Sequence, residues 1–345
     1  MRTGSLLDGP SAVMLGFAWL REAVAPVSEY GERIFAQIGP FVPGEERRAH
    51  ERAIRVAAVA AAAEESCLDA VRNVLRAAPD IRVAIARASM DDLLSDAQFF
   101  ELQHLIDALG RVDDLLHGLP GLPKVQTQGA RAVAQTLEPG RTGTHTFYLA
   151  DAFDTALTST RSDLSRMQAE YDSAFGRAAQ QLEHQLRRDD LGSGEFIVMR
   201  SDGPKTLPVG VRVIREAPTY FLCELEYDEA TLAALRRRDA AADAVAAAEE
   251  SVRERLSAAV RDHVSDLDRA ITALGEIDVI IAAARFACLY ECHPAEIVAR
   301  GELSFKAARF LPVAVELEAD GRKFTPIDVA LHDVAVLTGP NMGGK

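Results

Sequence analysis

Aromatic residues are scarce in this sequence. They make up 6% of its 345 positions, with a single tryptophan, while apolar residues as a whole reach 48%. A core must then be built mainly from Ala, Leu and Val, a palette that favours helix over strand. Cysteine is scarce too: Cys67, Cys223, Cys288 and Cys292 show no disulfide-framework spacing. Reduced thiols in a cytoplasm are the simplest expectation. Positive charge is in deficit, with 38 Lys and Arg against 52 Asp and Glu for a net charge of -14. This excludes nucleic-acid binding by bulk charge and leaves it only to a local patch. No uninterrupted apolar run reaches the ~18 residues of a membrane-spanning helix. The alanine run at 57–63 is short and flanked by Arg55, Glu64 and Glu65. The apolar run at 13–20 carries Asp8 where a basic lead belongs and is interrupted by Arg21 and Glu22, so no secretory leader is expected there.

Helical periodicity dominates instead. Between 11 and 118, Leu68, Val71, Val74 and Leu75 recur at three- and four-residue spacing, as do Leu102, Leu105, Ile106 and Leu109. Asp91 and Ser95 are candidate caps, and breaks fall at 38–46 and 77–80. The Gly- and Pro-rich stretch 118–129 predicts a connection. A long helix is predicted over 151–191, on Leu157, Leu164, Met167, Tyr171, Phe175, Leu182 and Leu186. Residues 196–228 change texture, rich in Val, Ile, Phe and Tyr with turn signals at Asp202-Gly203-Pro204 and Pro208, and predict three or four short strands. Residues 229–274 contain neither Gly nor Pro. Their apolar stripe, continued to Ala287, predicts one helix about 80–90 Å long at 1.5 Å per residue. Such a helix needs a partner along its length, and 151–191, antiparallel, is the obvious one. The expected picture is two long arms with a small β tip. Strand-like segments return at 311–317 and 324–331, and 334–338 predicts a buried strand.

That last strand feeds Gly339, Pro340, Asn341, Met342, Gly343, Gly344 and Lys345, a complete G-x-x-x-x-G-K pattern. Glycines let backbone N–H groups ring a phosphate, and the lysine reaches the outer phosphates. The hydroxyl residue that follows in such loops, which binds Mg, and the helix after it are not among these residues.

"LTGPNMGGK" resembles the phosphate-binding loop of the MutS family of DNA mismatch-repair ATPases, and its Pro-Asn-Met insert is more specific than the general pattern. In that family a helical core leads to a lever helix, a β-rich clamp, a returning lever helix and an ATPase domain. "EIDVIIAAARFA" (276–287) resembles the base of the returning lever, and "KFTPID" (323–328) the aromatic segment before the ATPase strands. The resemblance covers roughly 90–345. It implies a mainly α fold: a helical core at 1–125, a first lever with its lead-in at 126–191, a clamp at 192–228, a returning lever at 229–300, and at 301–345 the first strands of an α/β P-loop ATPase domain truncated at its loop. It also implies ATP, with Mg in complete relatives, held by Gly339–Lys345 with Phe324 stacking on the adenine; the alternative for Phe324 is a core aromatic at a strand start. Double-stranded or branched DNA, a homodimer, a cytoplasmic location and no membrane contact follow from the same resemblance. Arg309-Phe310-Leu311-Pro312 departs from the family's Arg-His-Pro segment. The absence of room for a mismatch-reading domain points to the branch that recognises branched or recombining DNA. Phe99-Phe100-Glu101 matches the mismatch wedge only in letters, since it lies in a helical stretch. With the ATPase motifs beyond Lys345 missing, the chain alone is expected not to hydrolyse ATP.

Within the predicted β tip, Arg200, Lys205, Arg212 and Arg215 are the candidate DNA-contacting residues, since cations there can hold phosphates without reading sequence. A solvated surface is the plainer reading of each one. "LRRRD" (235–239) is a second basic candidate. Cys288, Cys292 and His293 fall short of a converging ligand set and predict packed thiols on the apolar face of a helix. No arrangement for nucleophilic catalysis is visible. Two other functions remain open: a helical scaffold without DNA binding, and an unrelated P-loop kinase, against which the long helical run before the loop argues.

Overall fold

The computed structural model describes residues 8–42, 44–141, 143, 146–186, 194–201, 207–298, 302–332 and 336. The fold is mainly α and divides into two compact units. One holds the described residues within Met1–Ala86, Glu101–Ala134 and His263–Lys345, the other Arg87–Phe100 and Gln135–Asp262.

The first unit carries α1 (Gly9–Met14), α2 (Phe17–Ala23), α3 (Glu29–Gln37), α4 (Glu46–Ala62), α5 (Glu65–Ala77) and most of α6 (Arg82–Ser89). Much of α7 (Asp96–Leu115) and of α8 (Gln128–Leu137) belongs to it as well. Its centre is α11 (Val264–Leu289), which packs on α3, α4 and α5. From Leu267 to Ala284 this helix buries Leu274, Ile277, Ile281 and eight or more neighbours, so it is apolar nearly all round, the signature of a core helix. One polar residue is buried with them. The Asp278 carboxylate accepts from the backbone N–H groups of Val27 (2.9 Å) and Ser28 (2.7 Å) and from the Ser28 hydroxyl (2.7 Å). Ser28 caps α3, taking the Gly31 N–H at 3.0 Å. A buried carboxylate is thus met by otherwise unpaired donors at a helix N-terminus, where the helix dipole favours negative charge. The approach is close: a Cβ on Gly31 would fall 2.3 Å from Asp278, and one on Gly275 would fall 2.7 Å from the Tyr30 carbonyl.

The same unit contains β4 (Glu302–Ala308), α12 (Leu311–Ala319) and β5 (Ile327–His332); β4 and β5 pair antiparallel. The 324–331 expectation overlaps β5, which begins three residues later, at Ile327. The strand expected at 311–317 is wrong, because that segment is helical. Pro312 sits in the first turn, where its missing N–H costs nothing, and the Leu, Ala and Glu that follow are good helix formers. The strand expected at 334–338 lies outside the described residues except for Val336.

In the second unit, α9 (Thr155–Leu186) and α10 (Glu229–Arg261) run antiparallel, paired along their lengths as expected. The direction is read from their ion pairs: Asp154 with Arg255, Arg161 with Glu249, Glu170 with Arg237. Buried residues concentrate towards the ends of the pair, Leu157 with Val252 to Val260 and Ala174 to Leu182 with Thr231 and Ala234. Between them the side chains are only half-buried, since two helices alone cannot enclose a core. The pair is fastened at one end by the segment before α7. The Leu94 N–H donates to Ser257 Oγ (2.9 Å), Asp96 takes both Nε (2.9 Å) and Nη2 (3.1 Å) of Arg253, and Asp91 pairs with Arg261. These α10 residues lie four apart, on one face. Ser95 and Gln98 form a reciprocal capping box at the start of α7, and Asp228 caps α10 through the Thr231 N–H at 2.7 Å. Phe99, in the wedge-like triplet, is helical as expected and packs on Phe147 at 5.2 Å.

The single helix expected over 229–287 is instead two, α10 and α11, broken at Asp262–His263. Neither Gly nor Pro marks the break. Asp and His are poor helix formers, and His263 turns its ring to Asp266 at 3.5 Å instead of continuing the ladder.

Candidate nucleic-acid interface

The helices α9 and α10 are joined through a three-stranded antiparallel sheet, β1 (Glu195–Met199), β2 (Val211–Glu216) and β3 (Tyr220–Leu225), in the order β1-β3-β2. Alternation in β1 turns Phe196 and Val198 inward and Glu195, Ile197 and Met199 outward. Register extends this pattern: Phe196 and Val213 flank Cys223, and Val211 pairs with Leu225. The inner face packs on Ala179 and Leu182 of α9, with Phe175, Leu186 and Leu207 at the margin. Burial of the Cys223 thiol raises its pKa above the ordinary range. At the root of the sheet the Tyr171 and Tyr227 hydroxyls are 3.3 Å apart, and Phe175 meets Tyr227 edge-on at 5.9 Å. That hydroxyl pair, with burial, pushes Tyr171 up to about 12. Arg238 of α10 lies over the Tyr171 ring at 4.9 Å.

A bulge in β2 decides where the arginines point. Val213 pairs with Cys223 and Arg215 with Leu222, so Ile214 is an extra residue. In a regular strand, residues 212 and 215 would lie on opposite faces. With the bulge, Arg212 opposite Glu224 and Arg215 opposite Leu222 share the outer face. Their surroundings differ. Arg212 forms an ion pair with Glu224, while Arg215 is exposed and has no ion-pair partner among the described residues. Arg200 follows β1 and belongs to the other face. Its guanidinium lies 4.2 Å over the Phe221 ring, donates to the Ala217 carbonyl at 3.0 Å and pairs with Glu216. Lys205 lies outside the described residues. The structure therefore brings Arg212 and Arg215 together and separates Arg200 from them. Sequence reasoning gave Glu216 and Glu224 no part as partners; strand pairing across the turns assigns them.

In the second basic candidate two of the three arginines are engaged on the helix pair, while Arg236 is exposed. Arg237 reaches Glu170 at 3.5 Å and Arg238 holds Tyr171 and its neighbour Asp239. Exposed pairs of this kind contribute about 0–1 kcal/mol each, enough to set register but not to build a core.

Phe324 is half-buried in the irregular stretch before β5. Gly339, Pro340, Asn341, Met342, Gly343, Gly344 and Lys345 lie outside the described residues. The thiols expected to pack on one helical face do not do so. Helix α11 ends at Leu289, so Cys292 lies beyond it, and both Cys288 and Cys292 are exposed. Cys288 Sγ donates to the Ala60 carbonyl at 3.5 Å. No helix among the described residues is long and apolar enough to cross a membrane, and no group of three or more His, Cys, Asp or Glu among them is placed to hold a metal ion.

No protein-family model matches the chain. Individual proteins do. Endonuclease MutS2 of Carboxydothermus hydrogenoformans is 38% identical over 86 residues, 24% of this chain and 10% of that protein. Endonuclease MutS2 of Geobacillus thermodenitrificans is 35% identical over 99 residues, 28% of this chain and 12% of that protein. The DNA mismatch repair protein MutS of Dinoroseobacter shibae is 28% identical over 302 residues, 81% of this chain. The chain spans 34% of that relative's length and less of the two endonucleases.

Proposed function

We propose, from its similarity to MutS and MutS2 proteins, that this is a DNA-binding protein of mismatch repair or recombination. The β-tipped helical pair corresponds in this reading to lever and clamp, with levers at 126–191 and 229–300 and the clamp at 192–228. One observation carries the DNA-contacting role: the β2 bulge turns Arg212 and Arg215 to one exposed face of the sheet, at the end of a long helical pair. Two guanidiniums on one face suit a sugar-phosphate backbone, which needs charge and reach but no base reading. Lys205 stays in the proposal on its place in the sequence alone. Arg200, tied to Glu216 and Phe221, is a weaker contributor.

ATP belongs to the reading through Gly339–Lys345 and Phe324. When bound with Mg, it supplies in complete relatives the energy that couples nucleotide state to the grip on DNA. Here that assignment rests on the loop sequence. A homodimer and a cytoplasmic location are part of the same proposal.

Fluorescence anisotropy of the chain with labelled four-way-junction and plain duplex DNA, over a salt series, tests it. The expected result is tighter binding to the branched substrate and affinity that falls steeply with salt. Equal, salt-insensitive or absent binding to both would overturn it in favour of a helical scaffold.

A further inference from the structure

Helix α4 opens with a dense run of charge, Glu45-Glu46-Arg47-Arg48-Ala49-His50-Glu51-Arg52, followed by Arg55. Positions 48, 52 and 55 are four and three apart and lie on one face of the helix. That face lines a cavity of 250 Å³ whose other walls include Phe41, Glu276 and Ile280. A volume of this size is several times the ~30 Å³ share of one water.

The charges around this cavity are unevenly satisfied. Arg47 holds Glu51 at 2.7 Å and Arg48 holds Glu45 at 2.6 Å. Glu46 is turned back to the Gly44 N–H at 2.9 Å. Arg52, half-buried, and Arg55 have no hydrogen-bond or ion-pair partner among the described residues. Arg52 only stacks on Phe41, at 5.7 Å. Glu276 acts on Arg52 from across the cavity by charge alone, while Arg48 and Arg55 oppose it. Burial, then Arg48, lower the Arg52 pKa. A guanidinium carries donors in a fixed fork, and leaving them unmet in a partly buried site is costly. Three guanidiniums on one helix face, one of them half-buried, suit an anion with several acceptor oxygens.

We propose that Arg48, Arg52 and Arg55 form an oxyanion site for a phosphate group, either a phosphodiester of DNA or a free phosphate. The guanidinium of Arg52 is the inner ligand, Arg55 the outer one, and Arg48 shares its charge with Glu45. Glu276 sets the affinity from below, as the opposing charge.

Pyrophosphate titrated into the 345-residue chain at constant ionic strength, followed by calorimetry and thermal shift, tests the site. Binding should weaken about tenfold in Arg52→Gln, the scale of a lost charge-assisted hydrogen bond. Arg55→Gln, which alters an exposed side chain and leaves folding intact, should weaken it severalfold. Glu276→Gln should tighten it, a gain that a merely structural role for these arginines does not produce. A parallel titration with duplex DNA separates the sources. Loss of both ligands in the arginine variants assigns the DNA backbone; loss of pyrophosphate alone assigns a free phosphate. No pyrophosphate binding by the unaltered chain, or binding unchanged in Arg55→Gln and Glu276→Gln, overturns the proposal.

Discussion

Arg212 and Arg215 share one face of the three-stranded sheet although they stand three positions apart, because Ile214 is bulged out between them. They are not equivalent. Glu224 neutralises Arg212, whereas Arg215 is exposed without an ion-pair partner among the described residues. The sheet's charge towards a polyanion is set as much by its acids as by its arginines.

Substitutions should therefore act in opposite directions on DNA binding. Arg215→Gln should weaken it and lower the slope of log affinity against log salt by about one, the signature of one lost phosphate contact. Glu224→Gln releases Arg212 and should strengthen binding severalfold. Anisotropy titrations at several salt concentrations check both. An unchanged salt slope in Arg215→Gln would remove this face from the interface.

Glycine has opposite meanings at two places in the chain. At Gly31 a methyl group would collide with the Asp278 carboxylate and disturb the cap it forms with Ser28. Gly31→Ala should cost about 1–3 kcal/mol, the range of overpacked cores. Gly176, inside α9, faces open space, so Gly176→Ala should stabilise by about 0.5–1 kcal/mol through helix propensity. Urea unfolding midpoints of the two variants should move in opposite directions.

Tyr30 ties α3 to the turn before α6. Its hydroxyl donates to the Pro79 carbonyl at 2.7 Å and accepts the Ile81 N–H at 3.0 Å. Burial, the largest cause, raises its pKa well above the ordinary tyrosine value. The folded state thus holds the neutral phenol where the unfolded state would ionise. Its contribution is complete below about pH 10, the unfolded value, and is lost as pH rises from there towards the folded pKa. Tyr30→Phe should lose about 1–3 kcal/mol at neutral pH, from the buried Ile81 N–H and the partly buried Pro79 carbonyl left unpaired. Above pH 10 its stability should fall less steeply than that of the native chain, as measured by chemical denaturation across alkaline pH.

At the end of α11, Glu291 has φ of 50°, in the left-handed region that normally takes glycine. The Cys292 N–H reaches back to the Ala287 carbonyl at 2.8 Å, closing the helix. Glu291→Gly relieves the Cβ strain of about 1 kcal/mol and should raise the melting temperature, with the cap unchanged. A fall in melting temperature would show that the Glu291 side chain holds a contact worth more than that strain.

Much of the fold was legible in local pattern. The long α9 and the three strands after it follow from period and turn residues, because both are short-range properties of the chain. The split between α10 and α11 was not legible, since 229–274 carries no breaker. The helix at Leu311–Ala319 read as a strand because a short apolar run fits both periods, and Pro312 was the clue to its true state. The candidate site was half legible: four cations were named, but their faces and partners depend on strand register.

The sequence by itself determined that the chain is mainly helical, that a β insert separates two long helices, and that a G-x-x-x-x-G-K pattern stands at 339–345, because periodicity, turn chemistry and a glycine-rich motif are all local. Only the tertiary structure decided that Arg212 and Arg215 share a face and that Asp278 lies buried against the start of α3. It also left Arg52 and Arg55 without ion-pair partners among the described residues. The first two depend on strand register and helix packing, and no local pattern of side chains encodes either.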